Sequence, residues 1–310
     1  MGLTMSWDRI LYPLDLIGCN LLGRHFVGAF NVNDVLDVGR DLKRQGFGVT
    51  YNLLGEHVTD DKDVRMAVRT TIDLISKMDN SSLGNVSCKP TLYGLNISRE
   101  TCFTNLSILV RLAVEKDIEI EIDAESSHYI RDTFEIFSRL ASKGYNQYVR
   151  QAVQAHLKET FSLMDDFNMW DKNLRIVKGS DVYQEDESMI VKDPLAVRER
   201  YLEILVRNIK NGRRPFAATV RDIDLARKVI EISAKEKGQF EFQTLYGPVG
   251  KRMRRCLLSE GHPVRIYSPF TDTWCKDAWR PYSMRRTRIN TMRKMILGEF
   301  LNYLKFFSRR

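Results

Sequence analysis

Apolar and polar residues alternate in short runs along this chain, and these runs predict eight β-strands. The runs cover residues 48–54, 85–93, 118–124, 148–155, 173–179, 215–220, 240–246 and 264–270. Between them, apolar residues recur at helical spacing and predict helices at residues 64–78, 101–115, 130–141, 196–211, 223–235 and 251–260. Ser127, Asp193 and Asp222 lie near the starts of three of these stretches, and we expect each to cap a helix N-terminus.

Regular alternation of strand and helix predicts a parallel sheet, and eight such units predict an α/β fold, a (β/α)8 barrel of the TIM type. An open, doubly wound sheet is the alternative. It is disfavoured because no G-x-G-x-x-G follows the first strand and no G-x-x-x-x-G-K-[ST] is present. We therefore divide the chain into an N-terminal helical segment (1–47), the barrel (48–290) and a basic C-terminal extension (291–310).

Composition excludes several classes of protein. Apolar residues make up 43% of the chain and aromatic residues 10%, which is too much for an intrinsically disordered protein. The 5 cysteines are scattered without a C-x-x-C pair, which argues against a disulfide scaffold and a structural zinc site. No histidine pair has metal-ligand spacing, so we expect no metal. Because neither a membrane-spanning run nor an apolar signal core is visible, we expect a cytoplasmic protein.

Charge is distributed unevenly along the chain. The formal net charge is +8, yet residues 251–310 alone contain fifteen Lys or Arg against four Asp or Glu. The first 250 residues are therefore slightly acidic. Such an asymmetry indicates a local basic surface, which would suit nucleic acid, a membrane surface or an anion-binding site.

Polar side chains lie within or at the ends of seven predicted strands. In a (β/α)8 barrel, function is located at the carboxyl ends of the strands and in the loops that follow them. For any one of these side chains, a salt-bridged layer inside the barrel is an equal alternative, but the whole set favours a functional site. The set consists of Lys89, Asp123, Gln154, Arg175, Lys178, Thr219, Gln243 and Tyr267.

Five segments, taken in order and with their spacings, resemble the proline dehydrogenases. They are IEIDAES (120–126), RIVKG (175–179), FEFQTLYG (240–247), VRIYSPF (264–270) and YSMRR (282–286), and the likeness extends from about Tyr51 to Asn290. The resemblance implies a distorted (β/α)8 barrel and FAD-dependent oxidation of L-proline to 1-pyrroline-5-carboxylate. It further implies that a hydride passes to flavin N5 and that the electrons then pass to a quinone.

The resemblance also implies roles for individual residues. The catalytic residues would be Asp123 and Arg175, with Arg175 near flavin N5. Those that bind substrate would be Lys89, Leu245, Tyr267, Tyr282, Arg285 and Arg286. Those that bind FAD would be Ala124, Gln154, Lys178, Gly179, Ser180, Thr219 and Val220.

Elementary chemistry agrees with these roles. The carboxylate of a small amino acid suits planar, permanently charged donors, which Arg285 and Arg286 supply. Because successive helical residues do not share a face, one arginine can hold the carboxylate while the other also reaches another group, such as the flavin. Lys89 paired with Asp123 would form a pocket floor without unpaired charge. Arg175 would stabilise the negative charge of reduced flavin.

The chain departs from the family pattern at three places. Ser180 and Asp181 stand where the family commonly has Ala-Tyr, and Val220 replaces a histidine that contacts FAD. Ile289 stands where a glutamate usually follows the arginine pair. The alternative function is therefore a catalytically silent or substrate-shifted barrel of the same family that serves as a basic binding scaffold.

The C-terminal extension combines apolar residues at helical spacing with flanking cations. This pattern is typical of a helix packed on the barrel, and also of a helix docked on an anionic lipid surface. Peripheral docking on the inner face of the membrane would suit an enzyme that reduces a membrane quinone. We do not expect nucleic-acid binding, because no recognised nucleic-acid-binding fold accompanies the charge.

Overall fold

A computed structural model describes residues 23–179, 185–219, 222–248 and 250–287, with only the backbone of Arg286 and Thr287. Eight parallel strands form a closed barrel in chain order. They are β1 (Gly48–Leu53), β2 (Asn85–Cys88), β3 (Ile120–Ile122), β4 (Val149–Gln154), β5 (Leu174–Val177), β6 (Phe216–Ala218), β7 (Glu241–Leu245) and β8 (Val264–Phe270). The register of β8 on β1, from Gly48↔Arg265 to Leu53↔Phe270, closes the barrel. The predicted (β/α)8 barrel is confirmed, and each predicted strand is present.

Helices surround the barrel and cover the apolar outer face of its strands. They are α1 (Val32–Arg44), α2 (Asp61–Lys77), α3 (Arg99–Glu115), α4 (Ser127–Leu140), α5 (Thr160–Asp166), α6 (Pro194–Lys210), α7 (Ile223–Glu236), α8 (Lys251–Ser259) and α9 (Trp279–Thr287). The six predicted helices are all present. The sequence did not predict α5, because its 7 residues are too few for a periodic pattern.

Two of the three predicted helix caps are confirmed. Asp193 accepts hydrogen bonds from the first turn of α6, and Asp222 accepts one from Leu225 N in α7. The prediction for Ser127 is wrong, because Ser126 is the N-cap of α4 and Ser127 is its first residue. Both Ser127 N–H and its hydroxyl donate to the carboxylate of Glu185, which thus serves the N-terminus of α4 from another loop.

The inner face of the barrel is polar, and this explains why the strands alternate in sequence. Successive side chains of a strand point to opposite faces. Near the amino ends of the strands, Arg265 lies 3.1 Å from Glu241, and Arg150 forms two hydrogen bonds to Glu119. Gln243 donates to Thr50 Oγ1 and to Glu121 Oε2 and so belongs to this interior network.

The described ranges contain neither a candidate membrane-spanning helix nor a candidate metal site. Within them, no helix has the length and apolar character needed to cross a membrane. The same ranges contain no group of three or more His, Cys, Asp or Glu side chains placed to hold a metal ion. Cys88, Cys102, Cys256 and Cys275 form no disulfide within the described ranges.

Candidate active site

The side chains predicted at the strand ends meet around Asp123, which directly follows β3. Its Oδ1 accepts hydrogen bonds from Arg175 Nη1 at 2.6 Å and from the backbone N–H of Ala124 at 3.0 Å. Its Oδ2 accepts one from the Tyr267 hydroxyl at 3.0 Å and lies 3.5 Å from Lys89 Nζ. Strands β2, β3, β5 and β8 therefore bring five predicted residues together, and all of them except the half-buried Ala124 are buried.

The charges in this cluster fix its protonation. Burial raises the pKa of Asp123, but Lys89 and Arg175 outweigh burial and hold that pKa below its ordinary value. Burial and the negative charge of Asp123 raise the pKa of Tyr267 well above its usual range. At neutral pH, Asp123 is therefore a carboxylate and Tyr267 is a phenol that donates its proton to it.

Arg175 is shared between two carboxylates. Besides Asp123, its Nη1 lies 3.2 Å from Oε1 of the fully buried Glu121, and its guanidinium lies 4.8 Å from the centre of the Tyr267 ring. Burial lowers the pKa of Arg175, but Glu121 and Asp123 raise it above the ordinary value. Burial raises the pKa of Glu121, and Arg175 only partly opposes this. Arg175 is therefore a fixed positive charge on β5.

A second ion pair extends the cluster towards α9. Arg285 donates to both carboxylate oxygens of Glu56, with Nη2 3.2 Å from Oε2, and Glu56 Oε2 lies 3.8 Å from Lys89 Nζ. Burial raises the pKa of Glu56, but Lys89 and Arg285 reverse this and leave it lowered. Alternating charges thus run from Arg285 through Glu56, Lys89 and Asp123 to Arg175.

Sequence analysis did not select Glu56, although a signal was available. Glu56 lies three residues beyond the end of β1, in the loop where the strand-end rule places function. Glu56 lies beyond the predicted strand, which ends at residue 54, and was therefore not among the strand-end residues. Its partner Arg285, by contrast, was predicted from the YSMRR segment.

A cavity of about 230 Å³ lies beside this chain of charges. Its charged and polar lining includes Glu56, Lys89, Tyr282 and Arg285, and its apolar lining includes Leu54, Leu92 and Ala278. Tyr282 is buried. This volume is below that of typical drug-sized pockets and suits a small molecule with an apolar body and a charged group.

Three neighbouring strands carry, within them or directly after them, buried polar atoms that lack a hydrogen-bond partner in the described part of the chain. These atoms are Gln154 Oε1 on β4, Arg175 Nε on β5 and Thr219 Oγ1 after β6. Gln154 Nε2 donates to the backbone carbonyl of Glu125 at 3.2 Å, so that its Oε1 remains as an acceptor. A buried polar group without a partner costs about 1–3 kcal/mol. Three adjacent ones indicate a place for a polar ligand.

The turn after β5 lies beside these atoms. Gly179 has φ +95°, and a Cβ there would lie 1.7 Å from His156 Nδ1, so only glycine fits. Lys178 Nζ lies 2.9 Å from Asp222 Oδ2, and Arg198 Nη2 donates to both oxygens of the same carboxylate. Lys178 is therefore held beside the N-terminus of α7.

The remaining predicted site residues are only partly placed. Leu245 ends β7 and is half-buried, and its carbonyl accepts a hydrogen bond from Arg254 at 3.1 Å. The backbone of Arg286 belongs to α9, while its side chain, Ser180 and Val220 lie outside the described residues. The roles of these four residues, like those of the other predicted site residues, stay predictions.

A closed (β/α)8 barrel with charged groups at its carboxyl-terminal end, beside a small cavity, is the arrangement of a barrel enzyme that acts on a small charged molecule. Comparison with known proteins gives the family. Residues 35–295 match the family model described as Proline dehydrogenase, and the chain therefore belongs to the proline dehydrogenase family. The resemblance seen in the sequence is confirmed.

Individual relatives agree with this. The chain is 28% identical over 260 residues to Proline dehydrogenase 2 of Bacillus subtilis strain 168, covering 83% of this chain and 84% of the relative. It is 25% identical over 259 residues to the Proline dehydrogenase of Deinococcus radiodurans, covering 82% of this chain and 83% of the relative.

A solved structure shows the same fold. The crystal structure of proline utilization A (PutA) from Bdellovibrio bacteriovorus, inactivated by N-propargylglycine, matches with a TM-score of 0.78 and 19% identity. The match covers 91% of this chain and 34% of that chain, so this protein spans about a third of that PutA.

Proposed function

We propose that this protein binds FAD and oxidises L-proline to 1-pyrroline-5-carboxylate, and that a quinone takes up the electrons. The observation that carries the proposal is the chain of charges from Arg285 to Arg175. At one end it borders a cavity of about 230 Å³, and at the other it reaches the unpartnered atoms of β4, β5 and β6. A substrate with a carboxylate would thus be held next to a polar cofactor.

Arg285 is the group best suited to the substrate carboxylate. In the structure its guanidinium holds the carboxylate of Glu56, which has the same planar shape and charge as that of an amino acid. Lys89 supplies a second positive charge in the same cavity. Leu54, Leu92 and Tyr282 would exclude water from the apolar ring of the substrate.

Asp123 acts through the groups it holds. Its pKa is lowered, so it is a poor acceptor of a proton and instead keeps Lys89 and Arg175 charged and fixed. Tyr267 is bound to the same carboxylate and would form a wall of the site. The protein thus contributes orientation and charge placement, as expected when a cofactor performs the redox chemistry.

The residues present fit FAD. Gln154 Oε1 can accept a hydrogen bond from a ring N–H, and Arg175 Nε can donate to a ring nitrogen or carbonyl. Thr219 Oγ1 can do either, while Ala124, Lys178 and Gly179 lie at the same strand ends. When bound, FAD supplies the acceptor for the hydride that leaves the substrate carbon next to the ring nitrogen. Ser180 and Val220 complete the proposed set, although the side chain of Val220 offers no hydrogen bond.

A flavin spectrum followed by an anaerobic addition of L-proline tests this proposal. We expect yellow protein whose flavin absorbance bleaches with L-proline and not with D-proline. Protein that stays colourless after incubation with FAD would instead support the silent scaffold, which the replacement of the FAD-contacting histidine by Val220 favours. Bleaching by another imino acid but not by L-proline would support the substrate-shifted enzyme.

A further inference from the structure

Thr91 connects three loops at the carboxyl-terminal end of the barrel. It lies two residues after Lys89, in a short 3-10 turn (Pro90–Leu92). Its N–H and its hydroxyl both donate to the carboxylate of Glu125, at 3.0 and 2.6 Å. Its hydroxyl oxygen accepts a hydrogen bond from His57 N at 2.9 Å, and its carbonyl accepts one from Val58 N at 3.2 Å.

These bonds reach both ion pairs of the site. His57 and Val58 directly follow Glu56, which pairs with Arg285 and Lys89. The turn that holds Thr91 begins at Lys89 itself. Any shift of Thr91 would therefore move the loops that carry Glu56 and Lys89 together.

Glu125 is the anchor for this arrangement. It lies two residues after Asp123 and is 3% exposed, and its backbone carbonyl accepts the hydrogen bond from Gln154 Nε2. A buried carboxylate is costly, and here both of its oxygens are used by one residue, Thr91. An apolar side chain would fill the same space but could not fix the turn.

We propose that Glu125 is a positioning residue: its carboxylate holds Thr91, and through Thr91 it sets the positions of Lys89 and Glu56 in the substrate-binding half of the site. This inference rests on the proposed function, because that function assigns Lys89 and Arg285, the partner of Glu56, to the substrate. Binding groups have to be held to within about 0.5 Å, and support of this kind is what achieves it.

Burial raises the pKa of the Glu125 carboxyl, while Lys89 and the two donors of Thr91 oppose the rise. The Thr91 N–H and the Thr91 hydroxyl donate to separate oxygens, which matches a carboxylate. A glutamine at position 125 could still accept from the Thr91 N–H, but its amide N–H would face the hydroxyl, which would have to accept instead of donating. Because that hydroxyl already accepts from His57 N, Glu125→Gln is the smallest change that disrupts the hydrogen bond between the hydroxyl and the carboxylate.

The test uses three single variants of the full-length, FAD-loaded protein. Glu125→Gln and Thr91→Val each remove the hydrogen bond from the Thr91 hydroxyl to the Glu125 carboxylate, whereas Thr91→Ser keeps the hydroxyl and serves as the control. We expect the KM for proline to rise about tenfold in the first two variants, the range for loss of a charge-assisted hydrogen bond. We expect kcat and FAD content to change less than twofold. The double variant should be no worse than the worse single variant, because both act through one contact.

Hydrogen exchange supplies a readout that does not depend on turnover. Amides of residues 56–58 and 91 should exchange faster in Glu125→Gln than in the wild type, and peptides from α6 should not change. An unchanged KM and unchanged exchange in a folded variant would overturn the proposal. Loss of FAD with a normal KM would also overturn it, because Glu125 would then serve the cofactor.

The outcomes separate this inference from the proposed function. If the wild type itself does not reduce its flavin with L-proline, the proposed function fails, and exchange at residues 56–58 still decides whether Glu125 positions the loop. If Glu125→Gln does not fold, the comparison of Thr91→Val with Thr91→Ser decides the question. Equal KM values for those two variants would contradict the proposal.

Discussion

Asp123 connects the proposed substrate-binding part of the site with the proposed FAD-binding part. Its carboxylate contacts Lys89 of the former and Arg175 of the latter. We predict that Asp123→Ala keeps the barrel and loses most of its turnover. Each cation retains another carboxylate in the variant, Glu121 for Arg175 and Glu56 for Lys89, so that neither charge is left buried alone. The measurement is kcat together with FAD content and melting temperature.

A loss of stability without a loss of activity in Asp123→Ala would identify Asp123 as part of a structural ion pair. Breaking a buried pair costs about 3–5 kcal/mol of stability when one charge is left unpaired. An Asp123→Ala protein that melts far lower than the wild type, yet has normal specific activity, would show that Asp123 stabilises the barrel and does not orient the site.

Arg285 permits a substitution that keeps its charge. We predict that Arg285→Lys raises the KM for proline about ten- to a hundredfold, because an ammonium cannot reproduce two parallel hydrogen bonds to a carboxylate. Steady-state kinetics measures this. Arg280→Lys on the same helix is the control, because Arg280 is exposed and pairs with Asp277 three residues away. Unchanged kinetics in Arg285→Lys would show that the carboxylate is held elsewhere.

The turn after β5 allows a test at the level of a single element. We predict that Gly179→Ala lowers both the melting temperature and the FAD content, because its Cβ would overlap the His156 ring and its φ of +95° is unfavourable for alanine. Gly212→Ala is the control, since Gly212 has φ +71° but nothing within 4 Å of a Cβ. The positive φ destabilises both variants by about 1 kcal/mol. Any further loss of stability in Gly179→Ala therefore measures the overlap with the His156 ring. Equal FAD content in Gly179→Ala and Gly212→Ala would show that the Gly179 turn does not contribute to FAD binding.

Asp222 links β5, α6 and α7, and its effect on stability should depend on pH. Burial raises its pKa, but Lys178 and Arg198 leave it lowered. Because the pKa of Asp222 is lower in the folded than in the unfolded state, its carboxylate stabilises the fold at pH values above its unfolded pKa, near 3.9. This stabilisation is lost as the pH falls through the folded-state pKa. Because Lys178 and Arg198 are about a third exposed, we expect Asp222→Asn to cost only about 1 kcal/mol at pH 7. Thermal melts should show that the difference in stability between the wild type and Asp222→Asn becomes smaller below about pH 4. A stability difference that does not depend on pH would show that the Asp222 carboxylate is not stabilised by Lys178 and Arg198.

The sequence predicted the elements of this fold well, and it predicted the site where residue type and strand position coincide. Lys89 and Asp123 follow buried strands directly, so the strand-end rule found them. The same rule also selected Gln243, which points into the barrel interior, because the pattern does not give the height of a residue along the barrel axis. Glu56 and Thr91 depend on the paths of loops, which periodicity does not encode. Glu125 was part of the IDAES segment, but its role depends on its contact with Thr91.

At the scale of the whole molecule, the uneven charge suggests where the protein works. The basic extension follows α9, the helix that carries Arg285, and lies outside the described residues. It places Met295, Ile296, Phe300, Leu301, Tyr303, Leu304, Phe306 and Phe307 among Arg293, Lys294, Lys305, Arg309 and Arg310. Cations beside an apolar helical face suit an anionic membrane, where each contributes about 1 kcal/mol near the surface.

We predict that the full-length protein sediments with anionic phosphatidylglycerol vesicles at low salt and is released at high salt, because salt screens the attraction of the cations. A truncation to residues 1–290 should stay in the supernatant while keeping its flavin spectrum, which would show that the barrel is intact. Neutral phosphatidylcholine vesicles are the control for non-specific adsorption. If full-length and truncated protein both remain in the supernatant, the aromatic face of the extension packs on the barrel instead, and the truncation should then melt at a lower temperature than the full chain.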